Sequence, residues 1–558
     1  MTRPATSARL GVYVLALAFG LVTRGNSQTE NLNVTPTFRA STHLVLVDVV
    51  VTDKAGNPSG GLRREDFQIK EDGKQQPIAF ISTPSTDAKG PVPPSLPSGI
   101  YSNAPAYRLA SGTPTVIVLD AANTQYKDQV YARRQMLKYL KEQYRPGQRI
   151  AVFSLTDRLS LLQDFTGDPD LLIATLEKVV PAETSLPRVT TGTQSSVSTL
   201  RISSPQEYQV LLAAFERFQK SEAQYVANTR AELTLDAMRR IARMLGGLPG
   251  RKNVIWLNGG FPFTLNPDLS ISSGGDLGEF FQDSVYIGHS PASHGGPFLQ
   301  SANYAEAVRD VSAQMATAQV AIYPIDARGL FISGAFISGD TQETMREIAR
   351  QTGGKAFVNQ NDRDNRVALA QRDSAATYTL DYSPSNKKWD RKYRSIDLKI
   401  DRPGLQTTYR RGYFAMDTAA SASHTKVDQA LSEAWQDGAP DTLVTFEAKI
   451  NPPENGKSRV DFLVDANTLS VEEVADGRRF DVSFYVAGVS NDGRIMPVQG
   501  TKLDRAFPTD LYQKILREGM RLHLDANAPP DGDQLLLAIR DNRTGFIGTV
   551  KARIPPKP

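Results

Sequence analysis

From Pro114 to about residue 372, short aliphatic runs alternate with stretches whose apolar positions recur every three or four residues, which predicts strand and helix in turn. Val116, Ile117, Val118 and Leu119 read as a buried strand ending in Asp120. Tyr126, Val130, Leu137, Leu140 and Tyr144 then share one helical face as far as Pro146-Gly147. Arg149–Leu155 is the next strand. Asp168-Pro169 supplies an N-cap and a first-turn proline for a helix carrying Leu172, Leu176 and Val179, which Pro181 ends. Beyond a Ser/Thr-rich loop at about 182–204, a long helical stretch reaches Leu245 and stops at Gly246-Gly247, and 253–257 is strand. A Gly- and Ser-rich insertion follows at about 264–300. Then come a helix at about 303–318, a strand at 320–325 running into Asp326, a helix opened by Asp340 with Glu343 at capping-box spacing, and a strand at 355–358. Such alternation predicts an α/β fold, a doubly wound and mostly parallel sheet covered on both faces, whose ligands sit at the carboxyl ends of the strands.

The flanks have a different rhythm. Residues 44–52 are almost continuously apolar and valine-rich, and 67–70 and 76–81 flank an Asp72-Gly73 turn, so 38–83 reads as a small β-module. Six prolines between Pro84 and Pro105 mark 84–113 as a linker. After residue 372 three strand-like runs, Thr377–Tyr382, 394–400 and 407–414, are antiparallel in character. Because an isolated hairpin is marginal in water, 373–415 is expected to pair with 38–83 around the inserted domain 114–372. A linker and short helix at 416–440 lead to 441–558, where strands at 442–450, 459–465, 480–487, 534–539 and 546–554, with one helix near 509–518, predict an immunoglobulin-like sandwich.

Composition narrows the function. The chain has 558 residues, too many for one core, and its 40% hydrophobic and 22% charged content is that of a globular protein. A net charge of +4 without a basic block argues against nucleic acid as partner. With no cysteine there is neither disulfide nor thiolate chemistry, and any metal must rest on oxygen or histidine. Arg3 and Arg9, the uncharged run 10–23 and the small residues Gly25 and Ser27 describe a signal peptide over 1–27, so a secreted or periplasmic protein with no membrane span after cleavage is expected; retention of the same segment as an anchor is the alternative.

The strings PTVIVLDAANT, RIAVFSLTDRL, GRKNVIWLNGGFP, AIYPIDARGL and IARQTGGKAFV, preceded by LVLVDVVVTDKAGNPSGGLRREDFQIKEDGK, resemble the von Willebrand factor type A domain, and most closely its acidobacterial variant in secreted proteins. The likeness covers roughly 40–415 and implies a Rossmann-like sheet with a role in protein–protein binding, often through a divalent metal at the top of the sheet. The family's adhesion site uses Asp-x-Ser-x-Ser, a loop threonine and a late aspartate. Carried over, Asp120 matches the first aspartate and Thr124 the second hydroxyl, while Ala122 replaces the first hydroxyl and Asn258 the late aspartate. Thr190, Thr191 and Thr193 compete for the loop position. The resemblance thus implies Mg²⁺ or Ca²⁺ on Asp120 and Thr124, with Asn123 as a substitute ligand, at a degenerate site short of coordination. The competing reading gives Asp120 only the turn and the following helix N-terminus to serve.

The binding rim expected from the strand ends comprises Asp120, Asn123, Thr124, Asn258 and Asp326. No H-E-x-x-H, G-x-S-x-G, Walker A or G-x-G-x-x-G occurs, so no enzyme is expected. The residual hydrolase reading rests on His289 and His294 with Asp283. Asp531, Asp533 and Asp541 read as turn formers before calcium ligands, and Glu222, Glu232, Asp236, Arg239, Arg240 and Arg243 as a solvated helix face. The expected function is an exported, adhesion-type protein that offers a protein or cell-surface ligand the loops 182–204 and 264–300, the second rich in aromatic residues (Phe261, Phe263, Phe280, Phe281, Tyr286, Phe298) that serve either as recognition anchors or as tethers of the loop to its own domain. A structural component of an envelope assembly is the alternative.

Overall fold

A computed structural model describes residues 45–82, 96–107, 113–145, 147–181, 205–262, 304–328, 339–358, 366–368, 370, 377–415, 427–436 and 439–556. The expected signal peptide, the threonines of 190–193, His289, His294, Asp283 and the loop aromatics other than Phe261 lie outside these residues.

In chain order the first strands are β1 (Val45–Asp53), β2 (Phe67–Glu71), β3 (Lys74–Gln76), β4 (Phe80–Ser82) and β5 (Ile100–Ser102). The α/β domain follows as β6 (Pro114–Asp120), α1 (Tyr126–Glu142), β7 (Arg149–Leu155), β8 (Leu159–Thr166), α2 (Pro169–Lys178), α3 (Pro205–Gly246), β9 (Lys252–Asn258), α4 (Ala305–Thr317), β10 (Val320–Asp326) and α5 (Gly339–Thr352). Next are β11 (Thr377–Tyr382), β12 (Tyr393–Ile400), β13 (Leu405–Tyr409), β14 (Gly412–Phe414) and α6 (Val427–Gln436). The last region holds β15 (Phe446–Ile450), β16 (Lys457–Val464), β17 (Glu472–Val474), β18 (Gly477–Val489), β19 (Gln499–Phe507), α7 (Thr509–Glu518), β20 (Met520–Asn527), β21 (Gln534–Asp541) and β22 (Ile547–Arg553).

The central sheet has the order β10-β9-β6-β7-β8. β6, β7, β9 and β10 are parallel, whereas β8 runs antiparallel at the edge, so the sheet is mixed. β8 escapes sequence reading because an edge strand is only half covered, and its residues show neither a solid apolar run nor clean alternation. The expected strand at 355–358 is reduced to one parallel bridge, Ile325 to Phe357. Each central strand is buried on both sides, which is why its sequence reads as continuous hydrophobe. Val254 and Trp256 pack with Met238, Ile241 and Leu245 of α3 and Met315 of α4, while Ile255 and Leu257 pack with Met136, Tyr139 and Leu140 of α1 and Leu172 of α2. The α2 cap matches the expected chemistry, with Asp168 accepting from Asp170 and Leu171 N–H and Pro169 in the first turn.

The opening and returning β-segments interleave. β1 lies between β11 and β13, β4 lies outside β11, and β2 lies between β12 and β3. The two sheets share one core containing Val47, Val49, Ile69, Tyr378, Leu380, Ile396 and Leu398. Inside it Glu71 accepts the hydroxyls of Tyr382 (2.8 Å) and Tyr413 (2.9 Å), which ties residues far apart in sequence. The last region is also two antiparallel sheets over a shared core, around Phe446, Phe462, Phe480 and Phe484. Its first sheet is completed by β5, which pairs with β15 inside the stretch expected to be linker. Three residues carry no periodic signal, and the strand forms because Asn103 next to it donates to Asp441 O and Val444 O (2.7 and 2.8 Å) and accepts from Phe446 N–H.

Candidate functional site

The described carboxyl ends of the central strands form one continuous hydrogen-bonded rim. After β6 the chain turns, and Gln129 of α1 holds that turn by donating to the carbonyl of Thr124 (2.9 Å) and more weakly to that of Ala121 (3.4 Å). The N–H of Gly259, just past β9, is shared between Asn123 O (3.2 Å) and Thr124 Oγ1 (3.0 Å). A Cβ at Gly259 would come within 2.8 Å of Asn123 O, so this approach requires glycine. Asn258 O in turn accepts from Ala327 N–H at 2.8 Å, which joins β9 to the end of β10. Asp120, Asn123, Thr124 and Asn258 are thereby brought together, and Asp326 stands at the far end of the same rim.

Asp120 is the centre of this arrangement. It is 2% exposed. Its Oδ2 accepts Trp256 Nε1–H at 2.9 Å and Asn123 Nδ2–H at 2.9 Å; its Oδ1 accepts Asn123 N–H at 3.0 Å. The same Asn123 amide reaches Thr234 Oγ1 of α3 at 2.9 Å. Burial pushes the Asp120 carboxyl up to about 6, against the opposing pull of the Trp256 and Asn123 donors and the Arg230 charge. Trp256, Thr234 and Arg230 are site residues that sequence reading overlooks. The signal for Trp256 was present, since an indole N–H in a fully buried strand needs an acceptor, and Asp120 is the carboxylate at the end of the neighbouring strand.

These residues do not fit the divalent cation that the family resemblance implies. Three N–H donors already stand on the two oxygens of Asp120, and the rim's other buried oxygens without a hydrogen-bond partner, Asn123 Oδ1 and Asn258 Oδ1, are neutral amides. Ala122 is buried and offers no oxygen, and Asn258 is neutral. Asp326, at the end of β10 on the same rim, is bound by its own neighbour, accepting from the Arg328 backbone N–H (3.0 Å) and from its guanidinium at 2.9 and 2.8 Å. A hard cation wants several carboxylate or water oxygens. Among the described residues no group of three or more His, Asp or Glu could hold a metal.

One further expectation changes. Arg240, read from sequence as part of a solvated helix face, is 4% exposed and forms a 2.7 Å ion pair with the fully buried Asp441, while donating to Ala434 O and Ala439 O. The spacing of charges on α3 hides this because the partner is 201 residues away. Of the two readings of Phe261, the buried position agrees with the tether: the ring is 2% exposed and packs edge-on against Trp256 at 5.8 Å. Asp541 is buried and accepts Ser470 N–H and hydroxyl, together with the Arg543 and Thr544 N–H groups, the work of a turn former.

No family model and no curated protein matches this chain. Solved structures similar to it include the von Willebrand factor type A protein from Catenulispora acidiphila, at 10% identity over 92% of this chain and 74% of that one with TM-score 0.21. BatB from Bacteroides thetaiotaomicron is 13% identical over 48% of this chain and 98% of that one, TM-score 0.22. The mussel byssus protein PTMP1, with a zinc-occupied MIDAS motif, is 10% identical over 50% of this chain and 48% of that one, TM-score 0.23. The solved structures that resemble this chain therefore include von Willebrand factor type A domains, the family its strand-end motifs resemble.

Proposed function

We propose that this is an exported protein-binding protein of adhesion type, whose α/β domain presents its strand-end rim to a protein or cell-surface partner without a bridging cation. The carrying observation is the closed cage around Asp120: the rim's central carboxylate is spent on Trp256 and Asn123, which makes it a brace. A brace of this kind keeps the turn after β6 and the exits of β9 and β10 in fixed relation, and loops held on a rigid scaffold are where recognition is concentrated. β9 ends at Asn258 and β10 at Asp326, both on this rim. Helix α3 has 42 residues and meets the rim at Thr234, so its first part runs on past the strand ends by roughly 40 Å and frames the same face.

Similar structures include the vWF domain of the pilus tip protein Mfa5 from Porphyromonas gingivalis, whose setting matches an adhesive role. The structural-component reading draws on a different feature, the buried Arg240–Asp441 pair that fastens α3 to the start of the last sandwich. One experiment addresses both. A photo-crosslinking residue is placed at Ala121 on the rim or at Leu511 on the exposed side of α7, and adducts with envelope proteins are compared with and without chelator. Rim adducts that survive chelation support the proposal. Adducts confined to position 511, or rim adducts lost on chelation, overturn it.

A further inference from the structure

Three buried arginines lie in the first β-sandwich or where it meets the foot of the central sheet, and they are not equally served. Arg394 lies 3.5 Å from Glu71, both buried. Arg251, at the start of β9, lies 3.7 Å from Asp48 of β1. Arg410, between β13 and β14, has no carboxylate within ion-pair distance among the described residues. One of its terminal nitrogens donates to Leu46 O at 2.5 Å, its guanidinium stands over the Tyr413 ring at 5.6 Å, and its Nε is buried without an acceptor. Burial holds this guanidinium below its ordinary value. Asp48 is already committed, accepting the Thr379 hydroxyl at 2.6 Å as well as facing Arg251.

Arg251 and Arg410 both border Gly353, where a Cβ would lie 3.6 Å from an Arg251 terminal nitrogen and 3.4 Å from the Arg410 backbone nitrogen. A cavity of about 10 Å³ opens there, lined by Asp48, Arg251, Gln319, Thr352, Gly353 and Arg410. It has room for one water-sized particle. Among the described residues the cavity is bordered by two guanidinium groups and one carboxylate, and buried charge persists only when compensated.

We propose that this junction binds a single monoatomic anion, chloride in saline surroundings, held between Arg251 and Arg410 and fastening the first β-sandwich to the α/β domain. The cavity is too small for phosphate or sulfate, and its walls supply guanidinium N–H donors, whereas the Thr352 hydroxyl is given to Ile348 O (2.8 Å) and the Gln319 amide faces Asp48 (3.5 Å).

The test is thermal unfolding of the full chain at constant ionic strength, with gluconate exchanged stepwise for chloride or bromide. The expected result is a saturating rise of about 2 °C with either halide. The rise should vanish in Arg410→Met and grow in Asp48→Asn, which removes the competing carboxylate. A Tm that follows ionic strength whatever the anion, or a halide response unchanged in Arg410→Met, overturns the proposal. If Arg410→Met does not fold, crystals of the unaltered protein grown in bromide decide the matter. An anomalous peak touching both arginines supports the site, and its absence assigns the cavity to water.

Discussion

At Asp120 two effects of opposite sign compete. Taking a carboxylate out of water favours its protonated form, while the Trp256 and Asn123 donors and the Arg230 charge favour the ionised one; burial wins, and the carboxyl is pushed up to about 6 from an ordinary 3.8. The folded state therefore holds its proton to higher pH than the unfolded chain does. Stability from this group is fully present below about pH 4 and is lost as pH rises towards 6, by an amount on the order of 3 kcal/mol. Asp120→Asn keeps an acceptor for the indole and cannot ionise. Relative to this variant, the wild-type protein should lose stability between pH 4 and 7, read from urea midpoints at several pH values; a constant difference would show that Asp120 titrates normally. The same cage predicts that millimolar Mg²⁺ leaves the Tm unchanged, because N–H donors already stand on both oxygens of Asp120. A saturating Mg²⁺ rise abolished by Asp120→Ala would restore the metal to the rim. Trp256→Phe removes one donor from a buried carboxylate and should cost about 2 kcal/mol, with the Asp120 titration moving still higher.

Among the elements, α3 joins two regions. One stretch of it reaches the rim through Thr234, and less than two turns later Arg240 enters the ion pair with Asp441. Removing one partner of a buried pair leaves an uncompensated charge, so Asp441→Ala should cost about 3–5 kcal/mol, whereas Arg240→Met with Asp441→Leu together should cost much less. Denaturant midpoints of the two proteins, compared with the parent, check this. Equal losses would mean that the pair itself, rather than its charge balance, holds the regions together. Legibility differed between elements for the same physical reason. β6, β7, β9 and β10 were readable because burial on both faces leaves a continuous apolar run, and α2 because its cap is local chemistry. β8, β5 and the strands β17, β19 and β20 were not, since edge strands depend on neighbours that local pattern does not encode. At the site, Asp120 and Thr124 were legible from strand-end position, but their closure by the Trp256 donor and the Thr234 acceptor was not, because those groups come from β9 and α3.

On the scale of the molecule, the chain opens a β-sandwich, leaves it to build the α/β domain, and returns to close it. β1 contributes the strand between β11 and β13, so neither returning strand can complete its ladder without residues 45–53. The closing contacts are also non-local: Val47 sits opposite Leu380, and Glu71 receives Tyr382 and Tyr413 from more than 300 residues away. Loop-closure entropy must be overcome before these contacts repay it, which makes this sandwich the late and dependent part of the fold. The α/β sheet draws no strand from it and keeps its own core. Deleting residues 1–83 should therefore strip hydrogen-exchange protection from the amides of β11 and β13 while leaving β6, β9 and β10 as protected as before. If β11 and β13 stay protected, they hold their fold without β1 and the interleaving is not what stabilises them; if β6 and β9 lose protection together with them, the two regions unfold as one cooperative unit.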